Sequence, residues 1–469
     1  MLQARDSQYF AIFASSALIG MKVIQTLILS LLLVIVTGFY YSAGKKDVKI
    51  IDHMETSLKY ELLEDWYPVS IDTLYGGFLS DFTYDWKPSG PQNKMLVAQA
   101  RHLWTASKAA IFYNDDRYRQ IARHAYLFLR DRMADKEYGG FYMFLNREGE
   151  LAGGSFGDIK ITYGNAFALY ALSAYYGMSA DTSALRLARE TFIWLDKYAH
   201  DPGFGGYYSI LGRDGSRIDE GDSNAGKINW VKTDWKGQNT SIHLLEAFTE
   251  LYKVWSDSLL RERLLEMLVL IRDTITNDRG SLTLFLQEDW TPVSFHDSSE
   301  SVRKSNYYFD HISFGHDVEA AYLLTEASQI LGIENDTVTA KIARRMVDHA
   351  LKNGWDNERG GFYDAGYRLS DDEPVTIIND AKVWWTQAEG LNALLLMSGL
   401  YPAEDKYHIA FMKQWEYINK YLIDHEHGGW YEEGLDNSPD KLRAPKGSDW
   451  MINYHNARAL MNCIQMLKK

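Results

Sequence analysis

"YGGFYMFL", residues 138–145, decides the architecture of this chain. A Gly-Gly pair followed by alternating aromatic residues reads as a turn entering a short β-hairpin or extended piece. The phrase returns as "YGGFLSDF" at Tyr75, "FGGYYSIL" at Phe204, "RGGFYDAG" at Arg359 and "HGGWYEEG" at His427, with a worn copy, "RGSLTLFL", at Arg279. Six copies at intervals of roughly 63 to 80 residues announce an internal repeat, and such a repeat names the fold before any single motif does.

Between the copies two kinds of helical sequence alternate. "KMLVAQARHLWTASKAAIFY", "YGNAFALYALSAYYG", "NTSIHLLEAFTELYKVW", "GHDVEAAYLLTEASQIL", "WWTQAEGLNALLLMSGLY" and "YHNARALMNCIQMLKK" are apolar or small on nearly every face. Helices of that kind are buried all round. Stretches such as "RYRQIARHAYLFLRDRM" and "SALRLARETFIWLDKYA" are amphipathic and charged on one side, and "IIDHMETSLKYELLEDW" supplies the first of six. An inner ring of six inside an outer ring of six predicts an all-α (α/α)6 barrel of helical hairpins with short β-hairpin turns. Six units close a ring, whereas an open solenoid wants polar caps at its ends.

Composition narrows the function. The net charge of -14 argues against nucleic acid, which needs clustered Lys and Arg. Fourteen Trp and 31 Tyr in an acidic chain suit a neutral polar ligand such as a sugar, whose C–H faces stack on aromatic rings. The lone cysteine, Cys463, allows neither an internal disulfide nor a cysteine metal site and reads as core. At the N-terminus, Lys22 precedes an uncharged stretch, Val23 to Gly44, whose apolar centre is Leu27 to Val36. This is a signal peptide or a signal anchor, the latter tethering the chain to a membrane through residues 23–41. Either predicts an exported protein, periplasmic or membrane-anchored, with residues 1–45 as an upstream extension (before Met21) plus this leader and 46–469 as one barrel domain. A monomer or weak dimer is expected.

The polar residues that open the inner helices stand at matching places in the repeats. Arg101, Tyr163, Asn239 and His243, His316 and Glu319, Trp385 and Glu389, and His455 each follow a Gly-Gly phrase by a similar span. Equivalent positions in a closed ring converge on one end of its axis, so these residues, with Trp450, should line one pocket. His316 and Glu319 share a helix face, and Asp317, about 100° away, is placed to orient or cap. Histidine-rich pockets suit proton transfer near neutral pH. The i, i+4 histidine pair of a zincin helix is missing, and neither metal nor cofactor is expected. His425 and His427 of "DHEHGG" sit in the repeated turn and read as a solvated loop. Glu319 and Glu389 are the pair that a glycoside hydrolase would use, but the histidines would then be surplus. No nucleophile elbow, P-loop or dinucleotide fingerprint appears.

"NTSIHLLEAFTELY", "FGHDVEAAYLL", "KVWWTQAEGL" and "WMINYHNARA" resemble the N-acylglucosamine 2-epimerase family, most of all its cellobiose and mannobiose 2-epimerase branch, from about Tyr60 onward. The resemblance implies metal-free inversion at C2 of the reducing-end sugar of a β-1,4-linked disaccharide. His316 and His455 would be the acid/base pair, and His243 would assist ring opening and closing. Arg101 would stabilise the open-chain oxygens, and Glu319 and Glu389 would orient the histidines or bind hydroxyls. Trp385 would stack the sugar, with Tyr163, Asn239 and Trp450 helping to bind it. The chain departs from the family at Tyr322, often Trp, and Asn453, often Pro, and the first departure bears on substrate preference. The alternatives are a monosaccharide or N-acylglucosamine 2-epimerase or isomerase, a glycoside hydrolase on the same barrel, and a non-catalytic sugar-binding barrel.

Overall fold

A computed structural model describes residues 48–151, 156–218, 233, 235–369 and 373–469. Ser57–Lys469 forms one compact unit; of the other, Met1–Thr56, the described part is helical and belongs to α1, residues 48–58. The expected leader, its boundary near residue 45 and the apolar stretch 23–41 lie outside the described residues. Among the described residues no helix is long and apolar enough to cross a membrane.

The inner helices are α3 (Leu96–Tyr113), α5 (Thr162–Ser179), α7 (Gln238–Tyr252), α10 (Phe314–Ile330), α12 (Trp384–Leu400) and α14 (Tyr454–Leu467). Each packs on the next, and α14 packs back on α3, so the ring is closed. Outside them lie α2 (Glu64–Ser70), α4 (Asp116–Phe128), α6 (Thr182–Tyr198), α8 (Ser258–Leu270), α11 (Thr337–Asn353) and α13 (Asp405–Tyr421). This is the (α/α)6 barrel read from the alternation of helix types.

The two ends of the barrel are connected differently. Inner helices pass to outer ones through short links, four of them closed by an aspartate N-cap: Asp115, Asp181, Asp257 and Asp336 each accept backbone N–H groups at the start of the outer helix. The return from outer to inner helix is longer and carries the Gly-Gly phrase. All the long connections therefore gather at one end, where the inner helices begin.

The expected short turns are present as local antiparallel bridges, and further strands pair between repeats. The Gly-Gly phrase closes a tight bridged turn at the end of each outer helix, such as Ala134 with Phe141 or His200 with Tyr207. Five of the six turns have both glycines at positive φ, for example 76° and 65° at Gly139 and Gly140. A Cβ at Gly140 would stand 2.9 Å from the side-chain oxygen of Asn165, which accepts the Phe141 N–H. The strands then pair across repeats: β1 (Lys94–Met95) with β2 (Phe144–Leu145), β3 (Ile159–Ile161) with β4 (Ile210–Gly212), β5 (Trp235–Gly237) with β6 (Phe285–Gln287), and β7 (Ile312–Ser313) with β8 (Ala365–Tyr367), all antiparallel. The strand entering one inner helix is thus stitched to the strand leaving the next turn. β9 (Thr376–Asn379) adds to the last of these sheets.

A buried lysine pins five of the turns. Lys94, Lys160, Lys236, Lys382 and Lys446 reach Asp72, Asp135, Asp201, Asp356 and Asp424 at 2.9, 3.0, 2.6, 2.7 and 2.7 Å. Each aspartate also accepts two backbone N–H groups of its own turn, as Asp135 does from Glu137 and Tyr138. Burial alone would raise Asp72, but Arg147 and Lys94 outweigh it and bring it down to about 2. In the worn copy Asn277 takes the aspartate's part, accepting from Arg279 and Ser281, and Ile312 stands where the lysine would be. The same repeat carries a helix that the pattern did not predict, α9 (Glu300–Asp310), which has no buried residue.

Candidate active site

The first turns of the inner helices meet in a cavity of about 240 Å³ lined by Arg101, Tyr163, Asn239, His243, His316, Glu319, Trp384, Trp385, Trp450 and His455. Glu389 is the candidate residue that does not line it. It lies one turn below Trp385 on α12, is fully buried, and holds His455 from behind. Trp385 stands between two histidines, its ring 4.8 Å from that of His316 and 5.9 Å from that of His455.

Each histidine is fixed through Nδ1. His455 meets Glu389 Oε1 at 2.7 Å, His243 meets Glu246 Oε2 at 2.8 Å, and His316 meets the Ser313 hydroxyl at 2.8 Å. A carboxylate accepts, so His455 and His243 each carry a proton on Nδ1, and the neutral ring of His455 keeps its Nε2 lone pair. Burial holds the imidazoles of His316 and His455 neutral. His316 falls to about 3, with neighbouring histidines adding to the effect, and His455 lies well below the ordinary range. Neutral imidazoles are bases in waiting.

Beneath the cavity lies a residue absent from the sequence reading. The guanidinium of Arg458, 2 % exposed, donates to Glu246, to Glu319 and to Glu389, the last at 2.6 Å, and to the Tyr454 hydroxyl at 2.7 Å. Tyr454 in turn donates to Glu246 at 2.5 Å. Burial would raise Glu246, but Arg458 and His243 outweigh it and hold it down to about 2. Glu389, pushed up by burial and only partly restrained by Arg458, stays above the usual carboxylate range, and its Oε2 has no partner. Glu319, Glu389 and His455 place ligand-type atoms within 4.8 Å of one another, as a metal site would. The guanidinium already sits on Oε1 of both glutamates and supplies the cation there.

Arg101 is the opposite case. It is 4 % exposed, donates to the Tyr163 hydroxyl at 3.2 Å and lies over Phe167, 4.5 Å from its centroid. Among the described residues no carboxylate pairs with it, and its Nε has no partner. A buried cation with unused donors is suited to an anionic oxygen. Asn239 likewise keeps a partnerless Oδ1. A second cavity of about 380 Å³ adjoins the first, sharing Tyr163, Asn239, His316 and Trp450, with Phe285, Tyr308 and His311 on its wall.

The structure separates other candidates from the cavity. Asp317, from the apolar helix that opens "GHDVE", accepts the Leu282 N–H at 2.8 Å, as Gln99, Asn165 and Gln387 do at their own turns. Its task is to hold a turn. Tyr322, expected to bear on substrate preference, lines a cavity of about 260 Å³ at the far end of the barrel with Lys108, Glu250, Lys253, Glu326 and Arg458. Its hydroxyl accepts from Asn462 at 3.1 Å. His425 is half exposed, bound to Glu61 at 2.6 Å, and is not among the residues lining the cavity. Cys463 is buried. A signal for the missed floor was present in the register: His243, His316 and His455 are each followed three residues later by a charge, Glu246, Glu319 and Arg458.

Residues 76–459 match the family profile for N-acylglucosamine 2-epimerase (GlcNAc 2-epimerase). A cellobiose 2-epimerase of Ruminococcus albus is 30% identical over 423 residues, 88% of this chain and 98% of that protein. A D-mannose isomerase of Marinomonas mediterranea is 25% identical over 435 residues, 89% of this chain and 95% of its own. The solved structure of cellobiose 2-epimerase from Spirochaeta thermophila superposes with a TM-score of 0.75 at 29% identity, covering 90% of this chain and 98% of that one. The closed ring, the histidine cavity and these likenesses agree: the chain belongs to the N-acylglucosamine 2-epimerase family, in its cellobiose epimerase branch, and so to the carbohydrate epimerases and isomerases.

Proposed function

We propose that this protein inverts C2 of the reducing-end sugar of a β-1,4-linked disaccharide of the cellobiose or mannobiose type, by histidine-mediated proton transfer. The observation that carries the reading is the pair His316 and His455. They reach one cavity from α10 and α14, on either side of Trp385, with burial favouring the neutral imidazole in both. A C2 hydrogen becomes acidic once the ring has opened, because it then lies alpha to an aldehyde. One histidine takes that proton through Nε2, and the electron pair passes to the carbonyl oxygen as an enediolate. Arg101, which lacks a carboxylate partner, offsets the charge where it develops. Rotation about C2–C3 presents the opposite face, and the other histidine, having taken a proton from solvent, delivers it to C2, while the first returns its own to solvent. His243, backed by Glu246, serves ring opening and closing.

The adjoining 380 Å³ cavity supports a disaccharide over a monosaccharide, since it gives the second sugar room without displacing the first. The apolar stretch Val23–Tyr41 supports an exported enzyme, which fractionation of expressing cells would test. The deciding experiment is proton NMR in D2O with cellobiose or β-1,4-mannobiose. Deuterium at C2 together with the 2-epimeric disaccharide is the expected result. Release of monosaccharide would instead favour hydrolysis by carboxylates, and turnover of free mannose alone would favour a monosaccharide isomerase.

A further inference from the structure

The proton chemistry proposed above needs Nε2 of His455 to be a lone pair, and the floor of the cavity contains the group that can keep it so. We infer that Arg458 is a positioning residue: its guanidinium, shared among Glu246, Glu319 and Glu389, keeps the carboxylates behind His243 and His455 as hydrogen-bond acceptors and thereby fixes the tautomer of both rings. The inference rests on the epimerase reading of the cavity.

The geometry is specific. One terminal nitrogen, Nη1, serves Glu246, and the other, Nη2, serves Glu319 and Glu389 together. Glu246 and Glu389 are the two carboxylates that hold Nδ1 of a cavity histidine. Without the guanidinium, three buried carboxylates would face one another with no cation among them. Like charges so placed relieve the strain by taking up a proton. Glu389 is the one most open to it, because its Oε2 has no partner and burial already opposes its charge. A protonated Glu389 would donate to His455 Nδ1 instead of accepting from it. The ring proton would then sit on Nε2, facing the substrate, and His455 could no longer accept a proton from carbon. Arg458 needs no contact with the sugar to matter. It is absent from the lining of the catalytic cavity and appears instead in the wall of the 260 Å³ cavity at the far end. That cavity offers a route by which a small cation could reach the place of a missing guanidinium.

The test compares wild type with Arg458→Lys and Arg458→Ala. Lysine keeps the charge but cannot serve three carboxylates with a planar fork. Both variants are expected to fold. In Arg458→Lys, kcat should fall on the order of 10²–10⁴-fold, the range seen when an orienting partner of a catalytic histidine is lost, with KM within about threefold. Nitrogen NMR of labelled histidine should show Nδ1–H at His455 in wild type and a shift towards Nε2–H in the variant. Guanidinium chloride at sub-denaturing concentration should restore Arg458→Ala by about tenfold or more, where equal sodium chloride does not. Unchanged kcat and tautomers in Arg458→Lys would overturn the inference. So would a loss confined to KM, no rescue, or failure of both variants to fold, which would make Arg458 structural first. A wild-type protein that turns over no sugar would sink the epimerase reading, while the histidine spectra would still judge what Arg458 does.

Discussion

The two ends of the barrel both bury polar side chains and differ in how those side chains are paired. At the far end, Lys108 and Lys253 both reach Glu250, and Lys253 continues to Glu326 at 2.9 Å, a chain of ion pairs with every lysine and glutamate engaged. Burial would raise Glu250, but the two lysines outweigh it and hold it down to about 2. At the near end Arg101 has no carboxylate, Asn239 keeps a bare oxygen and His316 is held only by a hydroxyl. Polar groups left unsatisfied in a buried place are costly, and in a cavity a ligand that pairs them offsets that cost. The far end keeps its charges in pairs; at the near end the lysine locks are paired too, but the cavity wall leaves polar groups open to meet substrate.

Four measurements would break or sharpen that contrast. His316→Ala and His455→Ala should each lower kcat on the order of 10²–10⁴-fold and stop deuterium uptake at C2, while disaccharide binding by calorimetry survives. Retained exchange in either would remove that histidine from the chemistry. Arg101→Met should cost about 10²–10³-fold in kcat with the fold intact, because it deletes donors aimed at a developing oxyanion. Wild-type turnover would mean that its missing carboxylate has no functional sense. At the far end, Glu250→Gln should leave kcat within about twofold while lowering stability to urea by about 1–3 kcal/mol, since it leaves two lysines short of a partner. A dead but stable Glu250→Gln would join the two ends into one site.

The smallest effect concerns pH. His102, stacked on Phe78 at 4.4 Å with both ring nitrogens partnerless, and His316 each take a proton only near 3 in the folded protein, chiefly because burial penalises the cation. Unfolded, they would take it near 6.5. Between those values the unfolded chain binds more protons, so stability falls as pH drops from about 6.5 towards 3. His102→Phe should flatten that fall in a thermal melt and leave kcat unchanged. His316→Phe should flatten it too, but at the cost of turnover.

How much of this could be read from the letters alone depended on distance along the chain. The ring was legible because Gly-Gly and the alternation of helix types recur, and recurrence needs no third dimension. The lining of the cavity was legible because equivalent positions in a closed ring must converge. Arg458 was not singled out, since a single arginine on an apolar helix says nothing of the three glutamates, on three other helices, that surround it. The pairing of strands between repeats was hidden for the same reason: the partner of β1 lies some 50 residues on. Tyr322 could have been placed. It lies six residues after His316, and at 1.5 Å per residue that is about 9 Å further down the helix, past the floor rather than in the wall.

The Asn277 turn has a practical meaning. Five seams of the ring are locked by a lysine buried against an aspartate, and any change near them must respect that lock. The sixth has none, and it opens the repeat whose outer segment supplies Tyr308 and His311 to the side cavity. A designer who wants the protein to accept a different second sugar therefore has a graft site. The stretch from Ser294 to His311 can be exchanged without touching a lysine lock, whereas Glu288 and Trp290 must stay, because the Glu288 carbonyl accepts from Lys236 and the Trp290 ring lies over that lysine.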